Sequence, residues 1–138
     1  MPTLDRRQTL ALIAAGTVGA CAAPQASPAD QASSAAFAQG VASGDPQTES
    51  IVLWTRVTTT SEAETVNWLL ARDPDFTDIV LQGDTTASAA ADHTVKVIPD
   101  GLEPGTTYYY RFTAAGETSP TGRTKTLPEG ALDRLGIA

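Results

Sequence analysis

Few side chains in this sequence have the chemistry to act on another molecule. There is one cysteine, Cys21, and one histidine, His93, far apart along the chain. A lone cysteine cannot close an internal disulfide, and these two donors by themselves argue against a zinc site built from protein ligands. His93 has no acid, base or nucleophile near it in sequence, so it reads as a surface residue at the mouth of a strand rather than as a general base. Asp73, Asp75 and Asp78 form an acidic cluster. Their spacing lacks the glycine and the distal glutamate of a calcium-binding helix–loop–helix, and they read as a solvated turn. Gly40 and Gly44 precede no G-x-x-x-x-G-K-[ST] pattern, so no phosphate-cradling loop is expected. Cys21 is the exception. It follows Val18-Gly19-Ala20, the small-residue run of a lipobox, in which the cysteine becomes the first mature residue and its sulfur carries diacylglycerol. Such acyl chains hold a protein to a bilayer at about 0.8 kcal/mol per buried CH₂. The competing reading is plain cleavage at the A-x-A pattern Ala20-Cys21-Ala22.

The residues around Cys21 fit delivery across a membrane. Arg6-Arg7 supply a positive start, and an alanine-rich apolar stretch follows from Leu10 to Val18. That stretch is too short to span a bilayer, which takes about 20 apolar residues. Residues 1–21 therefore read as an export signal. The adjacent Arg6 and Arg7 suggest the twin-arginine route, although Asp5 and Thr9 depart from its usual motif and leave general secretion open. Residues 22–36 are alanine, serine, glutamine and proline, with Asp30 the one charge, and lack periodicity, the composition of a flexible tether. The formal net charge of the 138 residues is −7, which disfavours nucleic acid and anionic lipid surfaces as partners.

The rest of the chain alternates like β-structure. Its organising stretch is Leu102-Glu103-Pro104-Gly105-Thr106-Thr107-Tyr108-Tyr109-Tyr110-Arg111-Phe112. Pro104-Gly105 marks a turn, and the aromatic, β-branched run after it marks a strand with Tyr108, Tyr110 and Phe112 on one face. A buried Tyr108 just past the turn can pass its hydroxyl back to the backbone upstream, which is the tyrosine corner of Greek-key sandwiches. An ordinary hairpin with an aromatic strand is the plainer alternative. Leu102 is expected to plug the core before the corner. A short strand is expected from Phe37 to the Gly44-Asp45-Pro46 turn. Ser50 to Val57 reads as a second strand, with Trp54 as the largest core filler and the opposite face apolar enough to suggest a cover, either a neighbouring domain or local loops. Strands follow at Val66 to Arg72 (carrying Trp68), Ile79 to Ala87, His93 to Ile98 with Val95 and Val97 inward, and Arg123 to Leu127. The fold class expected is all-β: an immunoglobulin- or fibronectin III-like antiparallel β-sandwich of about seven strands over residues 37–128. Trp54, Trp68, Leu102, Tyr108, Tyr110 and Phe112 are its expected structural core.

Four stretches in order, Gly40-Val41-Ala42-Ser43-Gly44-Asp45-Pro46, Ser50-Ile51-Val52-Leu53-Trp54-Thr55-Arg56-Val57, Leu102 to Phe112, and Gly122-Arg123-Thr124-Lys125-Thr126-Leu127-Pro128, resemble the N-terminal domain of PhoD-type alkaline phosphatases and phosphodiesterases. The resemblance implies a sandwich followed by a metallophosphoesterase domain using calcium and iron. Residues 129–138 resemble the start of that domain, in which a ligand cysteine follows the first catalytic strand. No position of this chain matches a catalytic or metal-binding residue of the family, and no cofactor is expected within it. The expectation is therefore an exported, periplasmic or cell-surface accessory domain, held by a lipid anchor at Cys21, whose partner is the C-terminal catalytic domain. A stand-alone surface module for adhesion or carbohydrate binding is the rival, with Trp54, Trp68 or Tyr109 as its aromatic platform.

Overall fold

The computed structural model describes residues 35–130; Arg6, Arg7, Cys21 and residues 131–138 lie outside them. Eight strands are present: β1 (Val41–Gly44), β2 (Val52–Arg56), β3 (Ala63–Ala71), β4 (Ile79–Ser88), β5 (Thr94–Val97), β6 (Thr107–Ala114), β7 (Glu117–Thr118) and β8 (Gly122–Lys125). They form two antiparallel sheets. One has the order β1-β2-β5; the other runs β4-β3-β6, with β7 and β8 both paired to β6. After β2 the chain crosses to build β3 and β4 in the second sheet. It then returns through a short 3-10 turn, Ala89–Ala91, to lay β5 beside β2. This is a Greek-key sandwich.

The core is where alternating residues of the two sheets meet. From β6 it takes Tyr108, Tyr110, Phe112 and Ala114, while the intervening residues stay partly open to solvent. Tyr110 and Phe112 meet edge to face, with ring centroids 6.2 Å apart and planes at 83°. That is a favoured geometry for aromatic quadrupoles. Against this aromatic row lie Ile51, Leu53 and Val57 from the β2 segment, Val95 from β5, and Val66 and Leu70 from β3. Leu102 is buried ahead of the corner.

The structure corrects three expectations. Trp54 does not fill the core. The buried residues of the β2 segment are Ile51, Leu53, Thr55 and Val57, so Val52 and Trp54 point to the outer face, where Trp54 is half-buried. Both faces of this strand are apolar, so periodicity locates the strand without fixing its phase. The aromatics of β6 already occupy the interior, and the slimmer branched side chains face them. Thr55 tolerates this burial because its hydroxyl donates to the Gly40 carbonyl (2.9 Å). Trp68 is the second correction. It packs at the margin of the core and is only half-buried, because it lies on β3 opposite Gly83 of the edge strand β4. A Cβ at Gly83 would come within 2.9 Å of the indole, so glycine makes the seat for the ring. Third, the folded unit reaches back into the stretch expected to be tether. Ala35–Phe37 form a 3-10 turn with Ala36 and Phe37 buried. The Ala36 N–H donates to Glu117 Oε2 (3.0 Å), and its carbonyl accepts from the Thr58 N–H (2.8 Å).

Candidate functional site

Two features of the folded unit are built from specific side chains: the tyrosine corner and the two outer sheet faces. At the corner, Gly105 takes a left-handed φ of 64°, which its lack of a Cβ permits. The turn delivers Tyr108 so that its hydroxyl accepts the Glu103 N–H at 2.9 Å. A second hydroxyl, invisible in the corner motif, completes the clamp. Thr126 is buried, donates to the Glu103 carbonyl (2.7 Å) and accepts from the Thr106 N–H (3.0 Å). The Gly105 N–H reaches the Leu127 carbonyl, and the Leu127 N–H reaches the Gln47 carbonyl, both at 2.9 Å. Corner, last strand and β1–β2 turn are thus tied at one end of the sandwich. Burial pushes the Tyr110 phenol above its ordinary range, and the Ser43 hydroxyl opposes part of that rise.

Two arginines, Arg56 and Arg72, form ion pairs on the surface. Arg56 forks onto Asp92, with Nη2 2.9 Å from Oδ1 and Nε 3.1 Å from Oδ2. The hydrogen bond and charge of Arg56 hold the Asp92 carboxyl below the usual range. Arg72 bridges Glu103 (2.7 Å) and Asp78 (3.5 Å). The acidic cluster is a turn that caps itself. The Asp73 carboxylate accepts N–H bonds from Asp75, Thr77 and Asp78, and those from Asp78 and Thr77 are the main reasons that its pKa is lowered. These are the bonds of an Asx turn. Among the described residues no three of His, Cys, Asp and Glu stand close enough to hold a metal ion. His93 adopts a left-handed φ of 53°, and its Nδ1 is enclosed without a hydrogen-bond partner among the described residues. What the arrangement offers is surface.

The outer face of the five-stranded sheet is partly covered by the chain itself, because the β3–β4 turn places buried Phe76 against Arg111, 4.1 Å from guanidinium carbon to ring centroid. A shallow open groove is lined by Asn67, Trp68, Leu69, Gln82, Gly83 and Asp84. The outer face of the three-stranded sheet carries Trp54, with Ala42 and Lys96 as its cross-strand neighbours.

The family model for the PhoD-like phosphatase N-terminal domain matches residues 20–128. This chain belongs to that family. The PhoD-like chain is similar to Alkaline phosphatase D of Bacillus subtilis (strain 168), at 43% identity over 91% of its own length and 24% of the relative's. A solved structure of PhoD superposes on it with a TM-score of 0.67 and 46% identity, covering 69% of this chain and 20% of that one. The chain thus spans about a quarter or less of the relatives it matches. A fibronectin type III domain from the human KIAA0970 protein shares the fold alone, with a TM-score of 0.50 at 14% identity over 78% of this chain and 88% of that domain.

Proposed function

We propose that this PhoD-like sandwich is the non-catalytic accessory domain of an exported phosphatase or phosphodiesterase, and that it packs on and supports a metal-dependent catalytic domain. The observation that carries the reading is the match of residues 20–128 to a domain that is N-terminal within a phosphatase family. Among the described residues no three of His, Cys, Asp and Glu are placed to hold calcium or iron. Those ions belong, on this reading, to the downstream catalytic part. Arg6-Arg7 then direct export to the periplasm or cell surface, and Cys21 carries the lipid anchor. The half-buried Trp54 on an outer face is what the rival, a stand-alone adhesion or carbohydrate-binding module, would use.

The test is turnover of 4-nitrophenyl phosphate with calcium and iron supplied. The 138-residue chain is expected to give none, and the polypeptide of the whole open reading frame is expected to hydrolyse the ester. Robust turnover by the 138 residues alone refutes the accessory role. Growth on radiolabelled fatty acid tests the anchor: label on the wild-type chain and none on Cys21→Ser is the expected result.

A further inference from the structure

Each sheet of the sandwich buries one face and leaves one outside. The outer face of the five-stranded sheet is partly closed by Phe76 against Arg111. On the outer face of the three-stranded sheet Val52 and Trp54 are only half-buried. Trp54 stands in its centre with Ala42 on one side and Lys96 on the other. Val52 lies on the same face, and Ile98, two residues on from Lys96, is 58% exposed. None of the residues that β1, β2 and β5 turn to this face is a carboxylate, in a chain whose net charge is −7. An apolar centre free of acids on an acidic protein is the composition of an interface core rather than of a solvated surface.

The path of the chain indicates what covers it. Beyond β8 the backbone passes the β1–β2 turn, where the Leu127 N–H donates to the Gln47 carbonyl and the Leu127 side chain is 37% exposed. At that end of the sheet Val52 pairs with Gly44. Leu127 is therefore tied beside the Gly44–Val52 end of that face. The relative at 43% identity is much longer, with this chain spanning 24% of it.

We propose that the Val52–Trp54–Ile98 face is the docking surface for the downstream part of the same polypeptide. This rests on the accessory-domain reading and adds to it the side by which the domain packs.

Hydroxyl-radical footprinting read by mass spectrometry tests it, on the 138-residue chain and on the polypeptide of the whole open reading frame. Trp54 and Ile98 are expected to oxidise several-fold more slowly in the longer polypeptide, while Tyr109, on the opposite outer face, reacts at the same rate in both. In the longer polypeptide, Trp54→Glu is expected to restore the reactivity of Ile98 and the acetylation of Lys96; circular dichroism of the same substitution in the 138-residue chain checks that the sandwich still folds. Unchanged Trp54 with new protection at Tyr109 or Trp68 overturns the chosen face and leaves the accessory reading standing. Absence of protection anywhere on the sandwich overturns both. Concentration-dependent protection of Trp54 in the 138-residue chain, with a dimer in sedimentation, makes the occupant a second copy and also overturns the proposal.

Discussion

Tyr108 and Tyr110 sit two residues apart on one strand face and fail in different ways when altered. Tyr108→Phe keeps the buried ring and removes only the acceptor of the Glu103 N–H. The loss expected is about 1 kcal/mol, the usual net worth of one hydrogen bond, read as a lower urea midpoint at unchanged slope. An unchanged midpoint would show that the ring alone holds the corner. Tyr110 depends instead on what faces it. A methyl group on Gly122 would clash with the Tyr110 ring and hydroxyl, whereas one on Gly44 meets nothing within 4 Å. Gly122→Ala is expected to cost about 1–3 kcal/mol through overpacking, and Gly44→Ala to stay within about 0.5 kcal/mol of the parent, both by urea denaturation. Tyr110 also makes stability depend on alkaline pH. Its pKa is raised in the folded state, so its contribution is complete below the unfolded value near 10 and is lost as pH climbs through the folded value. Tyr110→Phe should therefore flatten the decline of the unfolding midpoint above pH 10, whereas an identical decline in the variant would place its cause elsewhere.

At the scale of elements, what the sequence showed depended on whether its two faces differ. The tyrosine strand was legible because Pro104-Gly105 fixes its start and its inward face is far more aromatic than its outward one. The Trp54 strand was legible in position but not in phase, since Val52 and Trp54 rival Ile51, Leu53 and Val57 in hydrophobicity. The start of β3 carries no strand signal, since residues 58–65 are polar and acidic, and Ala63 and Thr65 are exposed there. There β3 pairs with β4 alone, and β6 joins only at Val66, so polar residues are tolerated. The final hairpin strand is split into β7 and β8 at Ser119-Pro120. Proline cannot donate to the ladder, and where the ladder is interrupted the Phe112 N–H donates to Ser119 Oγ (2.9 Å). No one-dimensional pattern announces Ser119 or Thr126, because each acts through backbone groups distant in sequence. The β3–β4 turn was read correctly as acidic and solvated, yet its carboxylate has a task, since Asp73 caps three N–H groups. Its pKa is lowered by folding, so the stability it confers is present above the unfolded value near 3.8 and is lost as pH falls through the folded one. Asp73→Asn keeps one capping oxygen and removes the titration. Its unfolding midpoint should fall less between pH 5 and pH 2.5 than the parent's, and equal falls would show that other carboxylates govern the acid limit.

For the whole molecule, the sandwich is closed at its two edges by different means. On one side β4 runs through Ala89–Ala91 directly into β5, so the sheets are joined covalently over a few residues. The other side, where β1 lies near β8, has no such short link; there the segment 126–127 stitches the sheets by Leu127 to Gln47 and by Thr126 to the corner. These bonds connect residues far apart in sequence, so their loop-closure entropy is met only late in assembly, and a fold of this topology is expected to form in milliseconds to seconds. A polypeptide of residues 35–130 contains every described strand with its partners and should unfold in one cooperative urea transition. Ending it at Lys125 keeps all eight strands but deletes the Thr126 hydroxyl and the Leu127 peptide, at least three hydrogen bonds of about 1 kcal/mol each. With a slope of about 1–3 kcal/mol per molar urea, the midpoint should fall by about 1 M or more. A midpoint that does not move on this truncation would mean that strand pairing and the aromatic row close the sandwich unaided, and that the exit of the chain is held only by what lies beyond it.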